Sequence, residues 1–138
     1  MRFLIVDDDF SCCELLNTIF SPYGSSDVAF DGCEAISYFR RALEDDQPYD
    51  VIFLDVVMPG LSGLETLDCI RQIERGYNIH GLKRVKIIII TAYDDPKLSV
   101  RTFQKDCESY LAKPFTPPQI LEKVRELSDD FQPLTAKK

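Results

Sequence analysis

Four stretches of the chain carry groups that could act together on a hard cation or a phosphoryl oxygen: Asp7-Asp8-Asp9, Asp55, Thr91 and Lys113. Each directly follows a short apolar run of strand character, namely Phe3-Leu4-Ile5-Val6, Val51-Ile52-Phe53-Leu54, Ile87-Ile88-Ile89-Ile90 and Ser109-Tyr110-Leu111-Ala112. If those runs lie side by side, three or four carboxylates converge at one edge, where two unit charges ~4 Å apart repel by about 4 kcal/mol at an effective dielectric of 20. Such crowding calls for a bound cation. A few carboxylate oxygens, with positions left open for water and a phosphate, suit Mg²⁺ better than zinc or a closed Ca²⁺ cage. A hydroxyl (Thr91) and an ammonium (Lys113) opposite the metal would neutralise a tetrahedral oxyanion, which is what phosphorylating a carboxylate requires. Taken singly the residues say little, because an Asp after a strand is commonly a cap or turn residue, and a lone Lys is usually solvated. Asp9 is expected to be such a cap. Four matched groups on four strand ends are what point to chemistry.

Delivering those groups to one edge demands parallel strands, and the chain has the pattern for them. The run at residues 2–6 is followed by Cys12, Leu15, Leu16, Ile19 and Phe20, spaced as one stripe of a helix that Ser21-Pro22-Tyr23-Gly24 stops. A short strand, Asp27-Val28-Ala29-Phe30, precedes the capping box Asp31-x-x-Glu34 and a stripe of Ile36, Phe39 and Leu43. After the third strand, Ser62-x-x-Glu65 caps a helix carrying Leu64, Leu67, Ile70 and Ile73, and a polar loop from Gly76 to Arg84 leads to the fourth strand. Asp95-Pro96 opens a weaker helix to about Asp106, the fifth strand follows, and Thr116-Pro117-Pro118-Gln119 caps a last helix buried through Ile120, Leu121, Val124 and Leu127. Five such units predict a doubly wound α/β fold, a parallel sheet with helices on both faces, whose ligands bind beyond the carboxyl ends of the strands. The domain is expected over residues 1–128, and residues 129–138, which show no period, as a flexible tail.

Composition narrows the function classes. A length of 138 residues allows one domain, and the formal charge of −7 repels polyphosphate chains and anionic lipid, so neither nucleic acid nor membrane is an expected direct partner. No apolar run approaches the 18 or more residues of a membrane span. Five cysteines, Cys12, Cys13, Cys33, Cys69 and Cys107, include no C-x-x-C pair, which suggests free thiols in a reducing cytoplasm rather than disulfides or zinc. His80, the single histidine, lies in a loop-like stretch, so a Ser-His-Asp triad is not expected.

The sequence resembles the receiver domains of two-component response regulators, the chemotaxis-regulator-like family. The resemblance rests on Val6-Asp7-Asp8, Asp55 with Met58-Pro59 and Gly63, Thr91-Ala92, and Tyr110 with Lys113-Pro114-Phe115. The spacings are 47 residues from Asp8 to Asp55, 36 to Thr91 and 22 to Lys113, and the likeness runs from residue 2 to about 128. It implies a flavodoxin-like five-stranded sheet of order 2-1-3-4-5 and a phosphoryl acceptor at Asp55. It also implies Mg²⁺ held by Asp8 and Asp55, with Asp7 helping through water and the Val57 carbonyl completing the shell. Thr91 and Lys113 would hold the phosphoryl oxygens, Tyr110 would be the switch aromatic, and the Lys113-Pro114 bond would be cis, aiming the ammonium at Asp55. The implied function is a signalling switch that catalyses only its own phosphorylation and dephosphorylation. A histidine kinase or histidine phosphotransfer protein would be the donor. A downstream effector protein would be met through the face of the segment 95–106, the fifth strand and the last helix. With about ten residues beyond that helix, output is expected by protein contact.

Three features depart from the family pattern. The connection from Glu74 to Arg84 is several residues longer than usual and is expected to be a tolerated loop rather than a contact surface. Asp106-Cys107 replaces the usual Gly-Ala, and Val57 and Tyr93 are apolar or bulky where polar side chains would position a hydrolytic water, so a long-lived phosphoryl group is expected. Two rival functions use the same residues. Asp7-x-Asp9-x-Ser11 approximates the D-x-D-x-[TV] motif of haloacid-dehalogenase-type phosphatases, with Asp7 as nucleophile, although Ser11 departs from it and Asp55 would be left without a role. A pseudo-receiver that only binds partners is the other, and the intact set of site residues speaks against it.

Overall fold

The computed structural model describes residues 1–56, 58, 60–91, 107–128 and 131–134. Five strands, β1 (Arg2–Val6), β2 (Ser25–Ala29), β3 (Val51–Asp55), β4 (Lys86–Thr91) and β5 (Ser109–Ala112), form one sheet in the order β2-β1-β3-β4-β5. All four pairings are parallel, with Ile5 opposite Val28 and Phe53, Asp55 opposite Ile90, and Thr91 opposite Ala112. Order and direction agree with the expectation. The helices are α1 (Phe10–Phe20), α2 (Gly32–Glu44), α3 (Gly63–Gly76) and α4 (Pro117–Leu127). The helix expected from Asp95 to Asp106 falls outside the described residues.

Alternation along the strands splits the core in two. Leu4, Val6, Ile52, Leu54, Ile87 and Ile89 face α2 and α3, where Phe39, Leu67 and Ile70 pack on them. Phe3, Ile5, Phe53, Ile88 and Ile90 face α1 and α4, meeting Leu16, Phe20, Ile120 and Val124. The interior strands β1, β3 and β4 are thus apolar on both sides, which is why they read as continuous hydrophobic runs.

Caps form where the sequence asks for them. Asp9 accepts the Ser11 N–H at 3.0 Å to start α1, and Ser62 and Thr116 make reciprocal capping boxes with Glu65 and Gln119. At α2, Asp31 accepts from Glu34 N–H, but Glu34 reaches back one residue further than the standard box, to the N–H of Phe30. The buried stripes are rotated slightly from expectation. Helix α1 buries Cys12, Cys13, Leu16 and Phe20 and leaves Leu15 42% exposed, while α2 buries Ala35, Phe39 and Ala42 in place of Ile36 and Leu43. The small face of α2 permits a close approach to α3, where a side chain at Gly32 would meet Thr66 Oγ1 at 2.2 Å.

One placement was not anticipated by the sequence reading and one differs from it. Arg71 and Glu74 on α3 are buried, joined by an ion pair of 2.8 Å, and Arg71 also reaches Glu108 just before β5 at 2.8 Å. Phe131, assigned by its sequence context to the tail, is 5% exposed and stacks on Tyr23 with ring centroids 4.1 Å apart, so the packed core extends at least to this residue. Among the described residues no helix is long and apolar enough to cross a membrane.

Candidate functional site

The carboxyl edge of the sheet gathers the expected groups. Asp55 is the last residue of β3 and only 6% exposed. The chain stays in the sheet beyond it, the Val56 N–H bonding to the Ile90 carbonyl at 3.1 Å. Asp7 follows β1, is held in line by its N–H to the Ala29 carbonyl at 3.1 Å, and is 1% exposed. Asp8 turns outward to solvent. Carboxylate oxygens of Asp7, Asp8 and Asp55 nevertheless all lie within 4.8 Å of one another. Three hard oxygen donors so close, two of them buried, form a set that fits a small divalent cation and is repulsive without one.

Lys113 closes the site from the β5 side. Its backbone N–H bonds to the Thr91 carbonyl at 2.6 Å, its peptide to Pro114 is cis as expected, and its Nζ donates to Asp7 Oδ2 at 2.8 Å. The ammonium therefore pairs with Asp7, not with Asp55 as the resemblance implied. Both carboxylates are buried, at 1% and 6% exposure, and the direct bond goes to Asp7 while Asp55 acts on the ammonium through its charge. Asp7 Oδ1 accepts the Asp9 N–H at 2.9 Å, so both of its oxygens are engaged, in keeping with an indirect part in metal binding.

Burial opposes ionisation of Asp7, but the bond from Lys113, the Asp9 N–H, the Cys12 thiol and the Lys113 charge outweigh it and hold the carboxyl below its ordinary value. Burial likewise opposes the charge of Lys113, yet the Asp7 bond and the charges of Asp55 and Asp7 push its pKa up. Asp55 is thus within electrostatic reach of the ammonium without being its hydrogen-bond partner. Cys12 is pushed up to about 12 by burial and by Asp7, which keeps it a protonated thiol.

Thr91 ends β4 at 1% exposure. Strand alternation sets it on the α2 and α3 side with Ile87 and Ile89, and Tyr110, half-buried opposite Ile89, packs against the same cluster. Asp55 alternates with Val51 and Phe53 and so belongs to the α1 and α4 side. Val57 and Tyr93 fall outside the described residues. The packing role of Gly63, quoted in the sequence only as part of the resemblance, and the placement of Leu15 were not read from the sequence. Gly63 approaches so closely that a Cβ there would stand 2.2 Å from the Asp55 carbonyl oxygen, and its N–H bonds to the Val56 carbonyl at 2.9 Å. Leu15, expected in the core, instead lines a hollow of about 470 Å³ with Cys12, Pro114, Phe115 and Lys113 beside the acid cluster. Asp9 accepts the Ser11 N–H as the helix cap, as the sequence reading expected.

Comparison with known proteins agrees with this architecture. The profile of the response regulator receiver domain matches residues 3–125. The transcriptional regulatory protein DltR of Streptococcus agalactiae is 31% identical over 126 residues, covering 91% of this chain and 50% of that protein. The chain thus spans about half the length of the curated relatives it matches. Among solved structures, the Francisella response regulator 1452 receiver domain is 31% identical with a TM-score of 0.71, covering 91% of this chain and 94% of that one. The CheX-CheY-BeF3-Mg complex of Borrelia burgdorferi superposes with a TM-score of 0.80 at 24% identity, covering 92% and 88%, a likeness of fold. With the acid cluster, the threonine and the lysine on their strand ends and the profile spanning nearly the whole chain, this protein belongs to the response regulator receiver domain family.

Proposed function

We propose that the chain is a phosphorylation-activated switch in which Asp55 accepts the phosphoryl group. The observation that carries this reading is the convergence of Asp7, Asp8 and Asp55 within 4.8 Å, with the Lys113 ammonium bonded to Asp7. Asp55 Oδ attacks the phosphorus of a phosphohistidine on a histidine kinase or phosphotransfer protein; the O–P bond forms as the P–N bond breaks, and the imidazole leaves with a proton. Mg²⁺, held by Asp8 and Asp55 with Asp7 behind them and the Val57 carbonyl completing the shell, would supply positive charge to the phosphoryl oxygens. Lys113 supplies a second positive charge from the β5 side, and the Thr91 hydroxyl donates to a phosphoryl oxygen. Tyr110, on the Thr91 side of the sheet, then reports the change to an effector protein. The switch catalyses no reaction on other molecules, occupies the chain from residue 1 to at least Phe131 and acts in the cytoplasm. Although relatives are described as transcriptional or DNA-binding regulators, the −7 charge of this chain favours protein partners over nucleic acid for this domain.

Incubation with acetyl phosphate and Mg²⁺, followed by mapping of the modified aspartate, tests the reading. Modification at Asp55 supports it. Modification at Asp7 would instead indicate a phosphatase-type nucleophile, and no modification a binding module.

A further inference from the structure

The long connection after α3 lies at the opposite pole from Asp55, next to the amino ends of β3 and β4. It is built as a fixed knob rather than a slack loop. Glu74 accepts the Val85 N–H at 2.7 Å, and Arg71 donates to the Val85 carbonyl at 3.0 Å, so a buried ion pair clamps both ends. Within it, Ile79 N–H bonds to the Glu74 carbonyl at 2.9 Å, Asn78 N–H to Arg75 at 3.1 Å and Arg84 N–H to Gly81 at 3.2 Å. Asn78 and Gly81 take positive φ values of 58° and 62°, which close its two turns.

This clamped segment displays the most exposed large hydrophobic side chain among the described residues. Leu82 is 91% exposed and Tyr77 50%. From Arg75 to Lys86 the sequence has four cations, Arg75, Lys83, Arg84 and Lys86, and no Asp or Glu, in a chain whose net charge is −7. Leu82, Lys83, Arg84 and Lys86 share a hollow of about 240 Å³ with Met1, Pro48, Tyr49, Asp50 and Ser128; the Asp50 carboxylate there accepts the Arg2 N–H at 2.7 Å, and Arg84 reaches Glu108 at 3.5 Å, so the cationic character of the hollow comes from Lys83 and Lys86. Neither Lys83 nor Lys86 has an ion-pair partner among the described residues. A single exposed leucine is ordinary. An exposed leucine on a clamped segment beside two lysines is how a small docking site lowers the entropy cost of binding, with an apolar anchor and charge to steer the partner.

We propose that the knob from Tyr77 to Lys86 docks an acidic segment of a partner protein that carries large apolar side chains. Charge complementarity selects the acid, and Leu82 over the hollow selects the apolar anchor. Because the knob lies at the far end of β4 from Thr91, the partner binds phosphorylated and unphosphorylated protein alike.

The test uses the full chain labelled with ¹⁵N and titrated with a short synthetic Glu/Asp peptide carrying two leucines. Three further titrants are its leucine-to-serine counterpart, a single-stranded DNA oligonucleotide and vesicles containing phosphatidylserine. The leucine peptide should move amide signals of Tyr77 to Lys86 and bind about tenfold more tightly than the serine peptide. Leu82→Asp, and separately Lys83→Glu with Lys86→Glu, should each weaken it about tenfold while leaving the urea midpoint and the acetyl phosphate reaction unchanged. Absence of shifts, shifts centred elsewhere, equal binding of the serine peptide, or tighter binding of DNA or vesicles would each overturn the proposal.

Discussion

Lys113 Nζ and Asp7 Oδ2 lie 2.8 Å apart across 106 positions of sequence, joining the edge strand β5 to the end of the central strand β1. Removing the ammonium leaves Asp7 buried beside two other carboxylates with no positive partner. Lys113→Ala should therefore lower stability by about 2 kcal/mol in metal-free buffer, the order expected for losing a charged hydrogen bond at a poorly solvated group. Mg²⁺ should restore part of that loss. Urea titrations with and without Mg²⁺ check both statements, and equal losses in the two buffers would contradict them.

The same pair contributes to stability at both ends of the pH range. Asp7 titrates below its ordinary 3.8 in the folded chain, so its contribution is present above that value and is lost as pH falls through the lower folded one. Lys113 titrates above its ordinary 10.5, so its contribution is present below 10.5 and is lost as pH rises through the higher folded one. Asp7→Asn should make the acid limb of the stability profile shallower. Urea midpoints measured through the acid range should show that change, and a limb of unaltered slope would disprove the assignment.

Asp8 contributes repulsion to the metal-free cluster and, being exposed, no packing. Asp8→Ala should raise the unfolding midpoint in metal-free buffer, remove the further rise caused by Mg²⁺ and abolish modification by acetyl phosphate. A variant modified at the wild-type rate would show that Asp8 holds no catalytic metal.

A phosphoryl group carries about 1.5 to 2 negative charges and would draw in the Thr91 hydroxyl, altering the space available to Tyr110 on the same side of the sheet. Thr91→Ala should leave Asp55 able to accept the group but remove most of the gain in effector affinity that follows. Tyr110 ring signals compared before and after phosphorylation give a second readout. A full gain in affinity in the variant would refute this route.

Gly63 stands where a Cβ would fall 2.2 Å from the Asp55 carbonyl oxygen, an atom of the strand backbone that cannot swing away. Gly63→Ala should cost roughly 1–3 kcal/mol, the usual range for overpacking, and slow the acetyl phosphate reaction by displacing the acceptor. Calorimetry and the modification rate measure the two effects.

The strands, their order and the polar groups at their ends were legible because a doubly covered parallel strand is apolar throughout and stops abruptly at a functional residue. Asp9 could be recognised as a cap for a similarly local reason. Helix faces were less legible: Leu15 and Ile36 belong to plausible stripes, but a small rotation about the helix axis exchanges them for Cys13 and Ala35. The buried Arg71 and Glu74 were unreadable because charged side chains signal solvent unless their partners are known, and Glu108 lies 34 positions beyond Glu74. The pairing of Lys113 with Asp7 rather than Asp55 was hidden for another reason. Spacing brings groups to one edge, whereas the folded side-chain geometry there decides which of them pair.

Asp55 and Thr91 stand on opposite sides of the pleat, with Ile87 to Ile90 of β4 buried throughout. That hydrocarbon wall is an insulator. In the proposed switch, a change of charge on the Asp55 side would reach the Thr91 side over the rim, through the Thr91 hydroxyl. The interior can then be stiff without deafening the receiver, and thermal stability and responsiveness become separately adjustable quantities in this fold.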